Sequence, residues 1–196
     1  MHHFEAFKEI TMSELLLYKI VLIAAALVSF AAAYLLLKFK APDLPVCEKL
    51  LRNRNLGVPL ALAGLLWCVP YSRPLVWDWM VPWLLPLVVV LTVLIYFYLE
   101  YLPSRAVAGI MILYTAYVAQ ESYAFHTPGA GWLMILSWLM AVVGMFIAAK
   151  PYLIRDYFRK IVVDERYRLI GGAFFTVYGL WSLTVGVIHI VKGQIV

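Results

Sequence analysis

Residues Leu15 to Leu37 run for twenty-three positions with one charged side chain, Lys19. At about 1.5 Å per helical residue, such a run covers roughly the 30 Å of a bilayer's hydrocarbon. Comparable apolar runs recur, each bounded by proline, arginine or a cluster of aromatic residues. Overall, 65% of the residues are hydrophobic and 14% are charged. Soluble domains carry about a quarter charged residues. The chain therefore reads as an all-α integral membrane protein forming one membrane domain. No polar stretch is long enough for a separate soluble domain.

Six spans are expected: Leu15 to Leu37, Leu56 to Val69, Trp79 to Tyr101, Arg105 to Tyr123, Gly129 to Ala149 and Leu169 to Val191. They group as three helical hairpins over 14–77, 78–127 and 128–196, preceded by an interfacial pre-segment, 1–13. In that segment Phe4, Phe7 and Ile10 recur at helical spacing, with Lys8 and Glu9 elsewhere. No basic n-region precedes the first apolar run, so a cleaved signal peptide is not expected. Lys19 sits one turn inside the first span and can snorkel outward. Pro42 and Pro45 are expected to bar a continuous helix in the first link. Pro59 falls in the first turn of the short second span, which is expected to end at Pro70. Pro103 and Ser104 read as a tight turn, and 120–128 as an outer link closed by Pro128.

The formal charge is +5. Its distribution sets the expected topology. The links after spans one, three and five hold 5, 1 and 6 Lys or Arg, twelve in all. The N-terminal segment, the two outer links and the C-terminal tail hold three. The positive-inside rule then places the odd-span links in the cytoplasm and both termini outside. The membrane is expected to be a bacterial or archaeal cytoplasmic membrane. Basic residues that border apolar helices do not form a nucleic-acid-binding face. Cys47 and Cys68 fall at opposite faces in this topology, which excludes a disulfide between them.

Spans two, four and six each open on a basic entry: Arg54 before Gly57, Arg105 before Ala108, and Arg168 before Gly171 and Gly172. Small residues follow at intervals of seven: Gly57 and Gly64; Gly109 and Ala116; Gly172, Gly179 and Gly186. Seven residues are about two helical turns, so each set forms one stripe. Small residues let helices approach closely in lipid. Spans two, four and six are thus expected to supply the central contacts. Arg54, Arg105 and Arg168 are expected to anchor the cytoplasmic interface. Alternatively, they pair with Glu48, Asp156, Asp164 and Glu165 and lock each hairpin.

The outer link carries Tyr71, Trp77, Trp79 and Trp83, and Trp67 lies just before it. Tryptophan and tyrosine favour the headgroup layer, so these residues form an expected aromatic belt. The same surface is a candidate docking face for a lipid or a protein partner.

The last hairpin, 150–191, combines Pro151, a basic link, Arg168 before the Gly171–Gly172 pair, and Gly179. It resembles the small YjeT-type bacterial inner-membrane proteins, which have two spans and an R-x-x-G-G entry to the second. That family has no assigned activity, so the resemblance implies a fold element alone.

Chemistry is sparsely marked. The chain has no metalloprotease, hydrolase, phosphate-loop or dinucleotide motif. No acidic residue sits in the middle of a span, where ion-coupled transporters usually need one; Glu100 and Glu121 lie near span ends. His2, His3, His126 and His189 all fall on the expected outer side and are the candidate ligands for copper. Glu121, Tyr123 and His126 form a polar cluster that could hold a quinone headgroup or a haem edge. Tyr114 and Tyr117 face either lipid or a neighbouring helix.

Three functions follow as expectations. The first is a non-enzymatic membrane subunit or scaffold that self-associates or joins other membrane subunits. The second is a small channel or carrier. The third is a metal- or haem-linked redox subunit that uses the outer histidines.

Overall fold

A computed structural model describes the backbone of residues 2–99, 101–127 and 129–192. Side chains are described over 13–187, apart from residues 74, 100 and 128. Helices occur in chain order as α1 (His2–Lys38), α2 (Leu44–Arg52), α3 (Arg54–Ser72), α4 (Leu84–Tyr98), α5 (Leu102–Ala124), α6 (Ala130–Ala149), α7 (Tyr152–Val163) and α8 (Glu165–Lys192). Three 3₁₀ segments, Ala41–Asp43, Arg73–Leu75 and Asp78–Trp83, join them. No strand occurs among the described residues. Six helical stretches are long and apolar enough to cross a membrane: Ser13–Lys38, Arg54–Ser72, Asp78–Tyr98, Leu102–Ala124, Ala130–Ala149 and Glu165–Val187. The chain thus has the helical architecture of a polytopic membrane protein.

Several boundaries differ from expectation. The pre-segment is not a separate helix, because α1 runs unbroken from His2; the side chains of Phe4, Phe7 and Ile10 lie outside the described residues. No continuous helix runs through the first link, as expected, and Pro42 and Pro45 each sit at the start of a short helical segment, Ala41–Asp43 and Leu44–Arg52. A missing N–H costs little there, because that donor has no intrahelical acceptor. Asn53 caps α3 by accepting from the Asn55 amide, so the helix begins before Leu56. That start puts Pro59 beyond the first turn, and α3 also runs through Pro70 to Ser72.

α4 ends at Tyr98 and α5 begins at Leu102, so the break between them precedes Pro103. Tyr101 adopts φ 55, and Pro103 and Ser104 lie in the first turn of α5. Glu100 and Pro128 lie outside the described residues. α5 continues to Ala124, so the outer link shortens to a turn containing His126 at φ 46 and Gly129 at φ 80. Glycine takes that left-handed conformation without a Cβ penalty.

The chain condenses into two compact units, whose bounds do not follow those of the expected hairpins, 14–77, 78–127 and 128–196. The first comprises 1–39, 117–137 and 164–196; the second comprises 40–116 and 138–163.

In the first unit, α1 and α8 run together along their lengths. The buried face of α1 is Tyr18, Leu22, Ala26, Ser29, Ala33 and Leu36. These residues recur at intervals of three and four, which is one side of an α-helix. The opposite side exposes Leu16, Leu27, Val28 and Leu35. A hydrocarbon solvent accepts such a surface, because lipid tails are as apolar as leucine. The α8 stripe fits onto α1. A Cβ on Gly172 would lie 2.7 Å from a methyl of Leu37, and one on Gly179 would lie 3.0 Å from the Phe30 ring. At Gly186 the approach loosens to 3.5 Å from Ile23. The partner of this stripe is therefore the first span. Span six thus supplies a central contact of the first unit, with α1 as its partner.

In the second unit, α3 meets the start of α5. A Cβ on Gly57 would lie 2.6 Å from Leu102 and 2.9 Å from the Pro103 backbone nitrogen. Gly64 faces Ile110 at 3.5 Å by the same measure. The expected pair on α5 is turned away: Gly109 has open space where a side chain would go, and Ala116 is exposed. The inward residues are Ala108 and Thr115, one position earlier. One position is 100° around a helix, which decides whether a stripe meets protein or lipid. Ala108 lies under Gly144 of α6, where an added Cβ would be 3.0 Å from the Ala108 carbonyl oxygen.

Candidate functional site

Two regions concentrate polar chemistry. One is the interior of the first unit; the other is the pair of short helices, α2 and α7, in the second.

The interior of the first unit holds hydroxyls that apolar sequence surrounds. Tyr18 is fully buried on α1, and its phenol shares a 2.6 Å hydrogen bond with Ser122 Oγ on α5. The Tyr117 ring lies 6.3 Å from that of Tyr18, and the Phe125 ring lies 5.9 Å from it. Ser137 on α6 and Tyr178 on α8, both fully buried, meet at 3.1 Å. Ser182 on α8 donates to the Leu22 carbonyl oxygen across the α1–α8 contact at 2.9 Å. Trp181 Nε1 donates to the Gly129 carbonyl at 3.1 Å and fastens the turn before α6. A hydroxyl without a partner is costly in hydrocarbon, so each of these bonds fixes a helix-to-helix register. Other hydroxyls bond four residues back along their own helix: Ser29 to Ala25, Thr92 to Val88 and Thr176 to Gly172. That local bond satisfies the group without choosing a neighbour.

Tyr114 and Tyr117 are both buried, which settles them as interior residues. The Glu121–Tyr123–His126 cluster does not converge. Tyr123 is exposed and stacks on the exposed His126 ring at 6.1 Å, whereas Ser122, between Glu121 and Tyr123, points to Tyr18. Consecutive helical residues diverge by 100°. No group of three metal-ligating side chains occurs among the described residues. Of the candidate copper ligands, His126 alone is described; the side chains of His2, His3 and His189 lie outside the described residues.

In the second unit α2 and α7 are amphipathic and pack on one another. Arg159 of α7 donates to Glu48 Oε1 of α2 at 2.7 Å. That hydrogen bond, then the carboxylate's charge, raises the Arg159 pKa above its ordinary value. Burial, then the nearby Asp43 charge, pushes the Cys47 thiol up. Burial alone raises the Tyr157 phenol. Cys47 and Cys68 are both free thiols.

The three entry arginines differ. Arg168 pairs with Glu165 one turn back along α8. Arg54 is exposed, and Arg105 is partly buried; among the described residues neither makes an ion pair. Of the four candidate carboxylates, Glu165 thus pairs with an entry arginine, and the other three are otherwise occupied. Glu48 binds Arg159, Asp156 binds Arg155, and Asp164 accepts the Arg166 amide at the start of α8.

Trp77, Trp79 and Trp83 are exposed, and the first two stack with centroids 6.4 Å apart. Trp67 and Tyr71 are half-buried.

Sequence reasoning missed Gly144, whose only signal was a glycine within an apolar run. It also missed α2 and α7, whose amphipathic patterns are nine and twelve residues long.

Comparison with known protein families, curated proteins and solved structures finds no match.

Proposed function

We propose that the protein is a non-enzymatic membrane subunit or scaffold that works by associating with copies of itself or with other membrane subunits. One observation carries this reading: buried hydroxyls of the first unit hydrogen-bond across helices, Tyr18 to Ser122, Ser137 to Tyr178 and Ser182 to Leu22. Polar groups that line a transport path or a reaction site stay available to a ligand. These are committed to holding helices in register. The apolar outer surface of α4 and the exposed tryptophans beside it offer area for a neighbour.

The proposed setting is a bacterial or archaeal cytoplasmic membrane, with the basic segments around α2 and α7 in the cytoplasm and both termini outside. The Lys and Arg distribution supports that orientation. The three-hairpin repeat and the YjeT-type resemblance of its last member belong to the same proposal.

The test is extraction from its native membrane in mild detergent, with mass measured by light scattering and with crosslinking in intact membranes. A defined oligomer or a stoichiometric complex is expected. A pure monomer, with no crosslinked neighbour, would overturn the proposal.

A further inference from the structure

We propose that the polar face of α2 is a binding site for the headgroup of an anionic phospholipid. A groove of about 590 Å³ lies along this face, lined by Pro45, Glu48, Lys49, Arg52 and Asn53. These positions follow the helical repeat, so they share one side of α2. A groove of this size is in the range of small-ligand sites.

Its charge chemistry suits a phosphodiester. Lys49 and Arg52 are exposed cations one turn apart. Glu48, the one acid lining the groove, is neutralised by Arg159 at 2.7 Å, so it does not repel an anion. Asn53 spends its carbonyl oxygen on the Asn55 amide, which leaves its amide nitrogen as a donor. A planar guanidinium and an amide are suited to phosphate oxygens.

The groove is also placed for a lipid instead of a soluble anion. Val46 and Leu50 sit next to it around the helix, four residues apart, and are 66% and 53% exposed. Two apolar side chains this open on a charged helix are stable against acyl chains, in the manner of an interfacial helix. In the chain α2 lies between the candidate spans Ser13–Lys38 and Arg54–Ser72, separated by five residues from the first and by one from the second, which suits a helix at the bilayer surface. Between Lys38 and Arg54 five basic residues face two acids, Asp43 and Glu48. One phospholipid meets both halves of this surface: phosphate at Lys49 and Arg52, acyl chains at Val46 and Leu50. The site goes beyond the scaffold reading and stands or falls independently of it.

The test is lipid binding by the purified full-length protein in nanodiscs or detergent, read by native mass spectrometry. The probes are phosphatidylglycerol, phosphatidylcholine and inorganic phosphate. Phosphatidylglycerol is expected to bind saturably and in preference to phosphatidylcholine. Lys49→Gln with Arg52→Gln should weaken it roughly 30-fold, from about fivefold per basic residue at a membrane surface. Lys150→Gln with Arg166→Gln removes the same charge from residues that do not line the groove and should leave binding within about twofold of the starting protein. Equal losses in the two double variants would overturn the site and leave general surface charge. So would equal retention of the two lipids. Inorganic phosphate that displaces phosphatidylglycerol at millimolar concentration would overturn the lipid assignment in favour of a phosphate site. If the α2 variant fails to fold, competition between the two lipids on the unaltered protein still decides.

Discussion

The two compact units solve the same problem by different means. The first joins helices that are far apart in the chain and ties them with hydroxyls that cross between helices. Its glycines meet side chains: Leu37 under Gly172 and Phe30 under Gly179. The second unit is built from shorter and more interrupted pieces, with proline inside α3 and a 3₁₀ lead into α4. Its hydroxyl at Thr92 bonds its own helix, and its ionic tie, Glu48 to Arg159, sits at the surface. Its glycines meet side chains and backbone together: Leu102 and the Pro103 nitrogen at Gly57, Ile110 at Gly64, and the Ala108 oxygen at Gly144. The contrast teaches that in an apolar solvent cohesion comes from close approach and from polar groups that cross an interface, since apolar area alone gives helices no reason to prefer each other over lipid.

The difference can be broken at the glycines first. Gly172→Leu places a branched side chain where a Cβ already lies 2.7 Å from Leu37. A loss of about 1–3 kcal/mol or more is expected from overpacking, read as a lowered unfolding midpoint in detergent. An unchanged midpoint would show that α1 and α8 are not in contact there. The hydroxyl ties come next. A double-mutant cycle on Tyr18→Phe and Ser122→Ala should show a coupling of about 0.6 kcal/mol, and at most about 1.7. Thr92→Val in the second unit should stay within about 0.5 kcal/mol, because it loses only a local bond. If Thr92→Val cost as much as the first cycle, the contrast between the units would not hold.

Gly109→Ala should stabilise the protein by up to about 1 kcal/mol, since a helical glycine with open space above it gains from an added methyl. Destabilisation would mean that the α5 stripe meets a neighbour after all. Exchanging Glu48 and Arg159 for one another should have a small effect that shrinks as salt is raised, as for other exposed pairs. Cys47 offers a pH readout. With its pKa raised, the thiolate forms later on a rising pH scale, so maleimide labelling should turn on above the ordinary thiol value of about 8.5. Asp43→Asn should move that midpoint down partway only, since burial is the larger cause. A full return to the ordinary value would reverse that order.

The spans were legible because apolar length is a local property that needs no knowledge of partners. So were the helix-packing glycines of α8, whose seven-residue interval survives as a buried stripe. The rotation of α5 was not legible. Ala108 and Thr115 keep the same interval as Gly109 and Ala116, and only a neighbouring helix distinguishes the two stripes. The pairing of α1 with α8 was equally hidden, because periodicity marks a face without saying what covers it. α2 and α7 were obscured because the prolines beside them mark a break between helices without showing that a short helix follows it. The hydroxyl pairs left no pattern at all, since Tyr18 and Ser122 are joined across 104 positions.

That separation bears on how the molecule is made. During synthesis α1 enters the bilayer long before its companion α8 exists, so its glycine-matching face must wait in lipid or beside a helper protein while the intervening segments insert. Tyr18 finds Ser122 partway through, and the Leu22 carbonyl meets Ser182 last. Chains stalled or cut ahead of α8 would leave the opening helix without its counterpart, and membrane quality control would meet them in that state.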